Sequence, residues 1–116
     1  MSSRAAIVAQ INLGELQSRA LRATRLLKAM SNPVRLLVLC QLAESEKSVG
    51  ELERVVDVSQ SALSQHLALL RAEGLVAFER DAQTLRYRIA DPRVEALLGH
   101  LYQIYCAKDG ANGGTE

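Results

Sequence analysis

The chain has 116 residues, 48% of them hydrophobic and 23% charged, and a formal charge of +1. That size suits one compact domain with no room for a second, and the near-neutral balance does not advertise nucleic acid as a strongly basic chain would. No stretch approaches the ~18 consecutive apolar residues of a spanning helix, and Met1-Ser2-Ser3-Arg4 leads into no apolar signal core, so the expected location is the cytoplasm.

Positions 6, 9, 13, 16, 20, 23, 27 and 30 hold Ala, Ala, Leu, Leu, Ala, Ala, Leu and Met, a stripe with alternating spacings of three and four that predicts a helix. Gly14 is costly inside a helix and is a candidate for its beginning. The small Ala20 and Ala23 would let another helix approach closely, so the stripe is either a core face or a dimer seam. A core of this modest size also favours joining two subunits.

Asn32-Pro33 places a capping residue before a proline at the first helical position. Val34 to Ala43 is apolar nearly all round, which predicts a central, buried second helix. Ser48-Val49-Gly50-Glu51 has capping-box spacing and opens a short helix through Leu52, Val55 and Val56 that stops near Asp57.

Ser59 caps the next helix, whose Leu63, Leu67 and Leu70 line an inner face until Glu73-Gly74 ends it. Two helices with so short a connection suggest a helix-turn-helix. Leu75–Arg80 and Leu85–Ala90 read as strands joined by the four-residue loop Asp81-Ala82-Gln83-Thr84. Asp91-Pro92 then starts a last helix with a stripe of Val94, Leu97, Leu98, Leu101 and Tyr105, ending at Cys106.

The expected fold is mainly α with a β-hairpin wing: a winged helix-turn-helix of order α-α-α-α-β-β-α, paired into a homodimer by its first and last helices. The domain is expected over residues 1–108. Residues 109–116 carry three glycines and no apolar anchor, and are read as a disordered tail.

Opposite the leucines of the helix that starts near Ser59 stand Gln60, Ser61, Ser64, Gln65, Ala68 and Arg71. Glutamine can bond adenine in two places, serine can reach phosphate or base, and Ala68 leaves room for close approach, so this face suits the major groove of double-stranded DNA. His66 is either a solvent-facing polar residue or a further DNA contact. The hairpin carries Arg80, Gln83, Arg86 and Arg88, either a wing for phosphate and minor groove or an edge strand protected by charge. Arg71, Arg80, Arg86 and Arg88 against Glu73, Glu79 and Asp81 leave the segment from Ser59 to Ala90 at only +1.

Cys40 and Cys106 are separated by 65 residues, too far apart for a local metal knuckle or a C-x-x-C pair. They are inert core residues or a conditional pair, since a reducing compartment disfavours a permanent disulfide. No nucleophile elbow, phosphate-binding glycine loop or catalytic histidine cluster is present in the sequence, so no enzyme activity, catalytic residue or cofactor is expected. A sulfur transferase acting through the thiols and a protein-interaction module are the competing classes.

Asn32-Pro33-Val34-Arg35, Ser61-Ala62-Leu63-Ser64-Gln65-His66-Leu67 and Leu70-Arg71-Ala72-Glu73-Gly74-Leu75-Val76, in this order, resemble the ArsR family of dimeric winged-helix regulators. The resemblance spans roughly Leu16 to Cys106 and implies operator DNA as partner, with dimer contacts from the outer helices. Metal-sensing members use a Cys-x-Cys element or Asp/His/Glu sets. Ser48–Leu52 has no thiol, and the last helix offers Asp91 and His100 without a second histidine at useful spacing, so no metal site is expected.

Cys40 on the second helix, Cys106 on the last and Ala82-Gln83-Thr84 in the wing resemble the thiol-based subgroup of that family. This resemblance implies that reactive sulfur species link the two cysteines and release DNA. One branch of the subgroup instead counteracts gene silencing to activate its targets.

Overall fold

The computed structural model describes residues 12–107. Two compact units are distinguished, residues 1–31 and residues 32–116. In the first, α1 spans Leu13–Met30, and Asn12 caps it by accepting a 2.8 Å bond from the Glu15 amide. The helix therefore begins one residue before Gly14, and stripe positions 6 and 9 lie outside the described residues. Leu26, Ala29 and Met30 are buried, whereas Leu13, Leu21 and Leu27 are exposed.

The second unit opens with α2, Pro33–Glu44, capped by Asn32, whose side-chain oxygen accepts from the amides of Val34 (2.9 Å) and Arg35 (3.0 Å). Val38, Leu39 and Leu42 are buried, but Leu37 and Cys40 reach solvent. The helix is central without being buried all round.

Residues Lys47–Ser48 form β1, a strand too short to leave a pattern in the sequence, which pairs antiparallel with the later hairpin. Ser48 also caps α3, Val49–Glu53. Its hydroxyl accepts from the Glu51 amide at 3.1 Å and its own amide donates to the Glu51 carboxylate at 2.8 Å. Regular helix stops at Glu53, and the amides of Val55 and Val56 bond back to the Leu52 carbonyl as a turn. The predicted helix through Val56 is thus shorter than its apolar spacing suggested.

Helix α4, Gln60–Ala72, starts at the Ser59 cap and buries Leu63, Leu67 and Leu70. Gly74 ends it at φ +80°, with Leu75 N–H bonded to the Leu70 carbonyl and Gly74 N–H to that of Arg71, each at 2.9 Å. This double closure satisfies the last carbonyls and requires a residue tolerant of the left-handed region.

Strands β2 (Val76–Asp81) and β3 (Thr84–Ile89) pair from Val76↔Ile89 to Asp81↔Thr84, giving the sheet order β1-β3-β2. Asp81 and Thr84 belong to the strands, so the connection is Ala82-Gln83 alone, two residues instead of the expected four. The tighter turn is made by Ala82 at φ +61°. The last helix, α5, spans Pro92–Tyr102 from the Asp91 cap and continues as one π-helical turn, Gln103–Ala107.

No helix among the described residues is long and apolar enough to cross a membrane. Lys108 and the expected tail at residues 109–116 lie outside the described residues.

Candidate nucleic-acid interface and cysteine cavity

Burial of the leucine face of α4 turns Ser61, Ser64, Gln65 and Ala68 outward, as the helical period requires. A cleft of about 560 Å³ lies between α4, the start of α3 and the wing. It brings together Gln60, Ser64, Ala68 and Arg71 of α4 with Gln83 at the wing turn, and Ser48, Val49 and Gly50 add a wall. Four of the sequence-selected polar residues, Gln60, Ser64, Arg71 and Gln83, therefore share one concave surface. Ser61 and Gln65 stand on the exposed face of α4 outside the cleft lining.

Arg71 is held in place by packing. Its guanidinium carbon lies 4.7 Å from the centre of the Phe78 ring, and Phe78 in turn meets Tyr87 at 5.3 Å between ring centres. The cation thus ties the end of α4 to the wing.

The wing arginines are engaged within the chain. The Arg86 guanidinium is 3.8 Å from the Glu51 carboxylate and donates to the Glu46 carbonyl, and Arg88 is 3.7 Å from Glu79. These surface pairs are worth little and are screened by salt, so a phosphate can replace either carboxylate. Arg80 is exposed near the wing tip.

Hydrogen bonding holds the Glu51 carboxyl below its ordinary pKa. The Ser48 amide is the largest cause, partial burial opposes it, and the Arg86 charge and Ser48 hydroxyl assist.

His66 is half-buried, and its Nδ1 lies 3.3 Å from the Arg35 guanidinium. It reaches back to α2 instead of standing out with Ser64 and Gln65. Arg35 was not selected as a site residue from the sequence. It lies on α2 five residues before Cys40, and its contact with His66 joins the cysteine-bearing helix to α4.

Cys40 and Cys106 are free thiols that line one cavity of about 280 Å³, with Leu36 from α2 and Leu98, Leu101, Tyr102 and Tyr105 from the last helical segment. Leu36 and Cys40 meet on one face of α2 by their i, i+4 spacing, and Leu98, Leu101, Tyr102 and Tyr105 do the same on α5 and its π turn. The Cys40 thiol reaches solvent, yet its apolar surroundings raise its pKa above the ordinary thiol value, and the nearby Cys106 thiolate raises it further. Among the described residues, no group of three or more His, Cys, Asp or Glu side chains gathers as a metal set.

Residues 32–77 match the family described as "Bacterial regulatory protein, arsR family". The transcriptional activator HlyU of Vibrio cholerae is 47% identical over 98 residues, covering 84% of this chain and 91% of the relative. The biofilm growth-associated repressor of Agrobacterium fabrum is 40% identical over 102 residues, covering 88% and 87%. Among solved structures, reduced HlyU from Vibrio cholerae superposes with a TM-score of 0.78 at 46% identity, covering 82% of this chain and 100% of the other. These relatives are named as transcriptional regulators, one an activator and one a repressor.

Proposed function

The chain belongs to the ArsR family of winged-helix transcriptional regulators, and from that premise we propose that it is a homodimeric repressor whose hold on operator DNA is switched by sulfur chemistry at Cys40 and Cys106. The observation that carries this reading is the shared cavity: two free thiols, far apart in sequence, line one small apolar space between α2 and the last helix.

DNA recognition falls to the exposed face of α4. Gln60, Ser61, Ser64 and Gln65 face the major groove, Arg71 and Gln83 close the cleft, and Arg80, Arg86 and Arg88 reach phosphate from the wing. Two such units are needed to span a two-fold operator. Leu13, Leu21 and Leu27 on α1, and Tyr102, Ile104 and Tyr105 at the end of the chain's last helix, are large exposed apolar side chains that pairing would cover.

The switch begins when a cysteine thiolate attacks a sulfane sulfur and displaces the shortened polysulfide, leaving a persulfide. The second thiolate attacks the first cysteine's Sγ and expels hydrosulfide, so two thiols are oxidised to a disulfide and one sulfane sulfur is reduced to sulfide. A second sulfane equivalent would give a trisulfide instead. Apolar surroundings raise the Cys40 thiol above its ordinary pKa, which slows attack by that residue.

Bridging pins α2 to the last helix. Arg35, on the same helix as Cys40, passes the displacement to His66 and hence to α4. A coupling of about 1–3 kcal/mol between bridging and DNA binding is enough for a 5- to 150-fold change in affinity.

The testing experiment is a binding titration with DNA from the chain's own upstream region at several salt concentrations. Salt-dependent binding that inorganic polysulfide weakens in the wild type, and leaves unchanged in Cys40→Ser and Cys106→Ser, supports the reading. Polysulfide-insensitive binding in the wild type contradicts the switch.

The activator among the relatives favours a second reading, in which the chain raises transcription by displacing a silencing protein from the same DNA. A promoter fusion in a strain lacking the chain separates the two: expression rises for a repressor and falls for an antagonist of silencing.

A further inference from the structure

Charge is distributed unevenly along the chain. Residues 32–107, which hold α4 and the wing, carry eight lysines or arginines and ten aspartates or glutamates, a balance of −2. In α1, Arg19, Arg22, Arg25 and Lys28 stand against Glu15, a balance of +3. A DNA backbone is a dense row of negative charges, and a protein that docks on it supplies cations in place of the counterions it releases.

The second unit has few cations to spare for that task. Arg86 and Arg88 each face a carboxylate, at 3.8 and 3.7 Å, and Arg71 lies over the Phe78 ring. Arg80 near the wing tip stands between the exposed Glu79 and Asp81, whose charges repel phosphate.

Arg19 and Arg22 are placed differently. Both are exposed, as is every residue from 17 to 25, and among the described residues neither has a carboxylate within ion-pair distance. From the helical period they stand roughly 130° and 170° round the axis from the middle of the exposed leucine face of Leu13, Leu21 and Leu27. A seam that covers those leucines therefore uses the other side of the helix. Three residues apart, the two guanidiniums form a doubled positive charge that weakens the helix slightly, a cost that an anion between them removes.

We propose that Arg19 and Arg22 form a second DNA contact, separate from α4 and the wing, that grips backbone phosphate without reading sequence. The inference rests on the DNA-binding reading above and adds α1 to the surface which that reading uses. Phosphates carry no sequence information directly, so the contact strengthens binding to operator and to unrelated duplex alike, and base selection stays with α4.

The test uses reduced full-length protein and two fluorescent duplexes of equal length, one from the chain's own upstream region and one with that sequence scrambled. Each is titrated across a range of salt concentrations with wild type, with the double variant Arg19→Gln/Arg22→Gln, and with Arg19→Lys/Arg22→Lys. Sedimentation velocity and circular dichroism follow subunit pairing and helix content in each. In the glutamine variant the slope of log affinity against log salt is expected to flatten by at least about 1.8, two phosphate contacts at about 0.9 each. Both duplexes are expected to weaken by the same factor, with pairing and helix content unchanged. The lysine variant keeps the charges and is expected to keep a slope close to that of wild type.

A slope unchanged by the glutamine substitutions overturns the inference and leaves the reading by α4 standing. A loss confined to the upstream duplex overturns it by making the arginines base readers, and a loss that accompanies dissociation or unfolding overturns it by making them structural. An equal loss in the lysine variant overturns it as well, because charge then does not carry the effect. Wild-type protein that binds neither duplex in a salt-dependent way overturns the inference and the DNA-binding reading together.

Discussion

At the scale of single residues, the cysteine cavity makes a prediction about acidity. Apolar surroundings disfavour the Cys40 thiolate, and a charged Cys106 disfavours it again. In the reduced protein, the pH midpoint for iodoacetamide labelling of Cys40 is expected above the ordinary thiol value. In Cys106→Ala it is expected to fall without reaching that value, because burial is the larger cause. A midpoint in Cys106→Ala at or below the ordinary value contradicts the assignment.

Ala82 carries the opposite kind of constraint, a backbone one. Its φ of +61° costs an alanine about 1–2 kcal/mol that a glycine avoids, part of which glycine's greater freedom in the unfolded chain returns. Ala82→Gly is therefore expected to stabilise the protein by up to about 1 kcal/mol, read as a higher midpoint in urea. An unchanged or lowered midpoint argues against strain at this turn.

At the scale of elements, the capping box that opens α3 links stability to pH. The Glu51 carboxyl is held below its ordinary pKa chiefly by the Ser48 amide, so its contribution to stability is present above the ordinary carboxyl range and is lost as pH falls through that range to the depressed folded value. The difference in urea midpoint between wild type and Glu51→Gln is expected to be larger at pH 7 than at pH 3. Equal differences at the two pH values would remove the carboxylate from the account. In the wing, Arg88→Ala is expected to weaken DNA binding across sequences and to reduce the slope of log affinity against log salt by about one. An unchanged slope means that Arg88 touches no phosphate.

The elements that were legible in the sequence are those whose signals are local. Asn32-Pro33, Ser48 with Glu51, Ser59, Glu73-Gly74 and Asp91-Pro92 mark helix ends through bonds to neighbours within five residues, and each marks an end in the structure. The wing turn was read two residues too long because alanine is an unusual residue at positive φ, so Ala82 gave no turn signal. Strand β1 escaped because two residues have no period, and its pairing with Tyr87 and Arg86 is long-range. The same limit applied to the site. The outward face of α4 followed from helical spacing, whereas the Arg35–His66 contact and the meeting of Leu36 and Cys40 with Leu98, Tyr105 and Cys106 depend on how α2 packs against α4 and α5.

At the scale of the whole molecule, the proposed reading puts DNA contact and sulfur chemistry on different parts of the fold. The cleft is lined by α4, the start of α3 and the wing, the cysteine cavity by α2 and the last helical segment, and α2 touches α4 through the Arg35–His66 contact outside the cleft lining. Regulation then needs only a small bias in how α2 supports α4. The most direct measurement is DNA affinity at fixed salt on reduced protein, on protein treated with polysulfide, and on treated protein returned to reductant, with intact mass recorded for each sample. The account predicts tight binding when reduced, weakening of at least about fivefold as the Cys40–Cys106 bridge appears, and recovery with reductant. Unchanged affinity in a sample whose mass shows a complete bridge would contradict it.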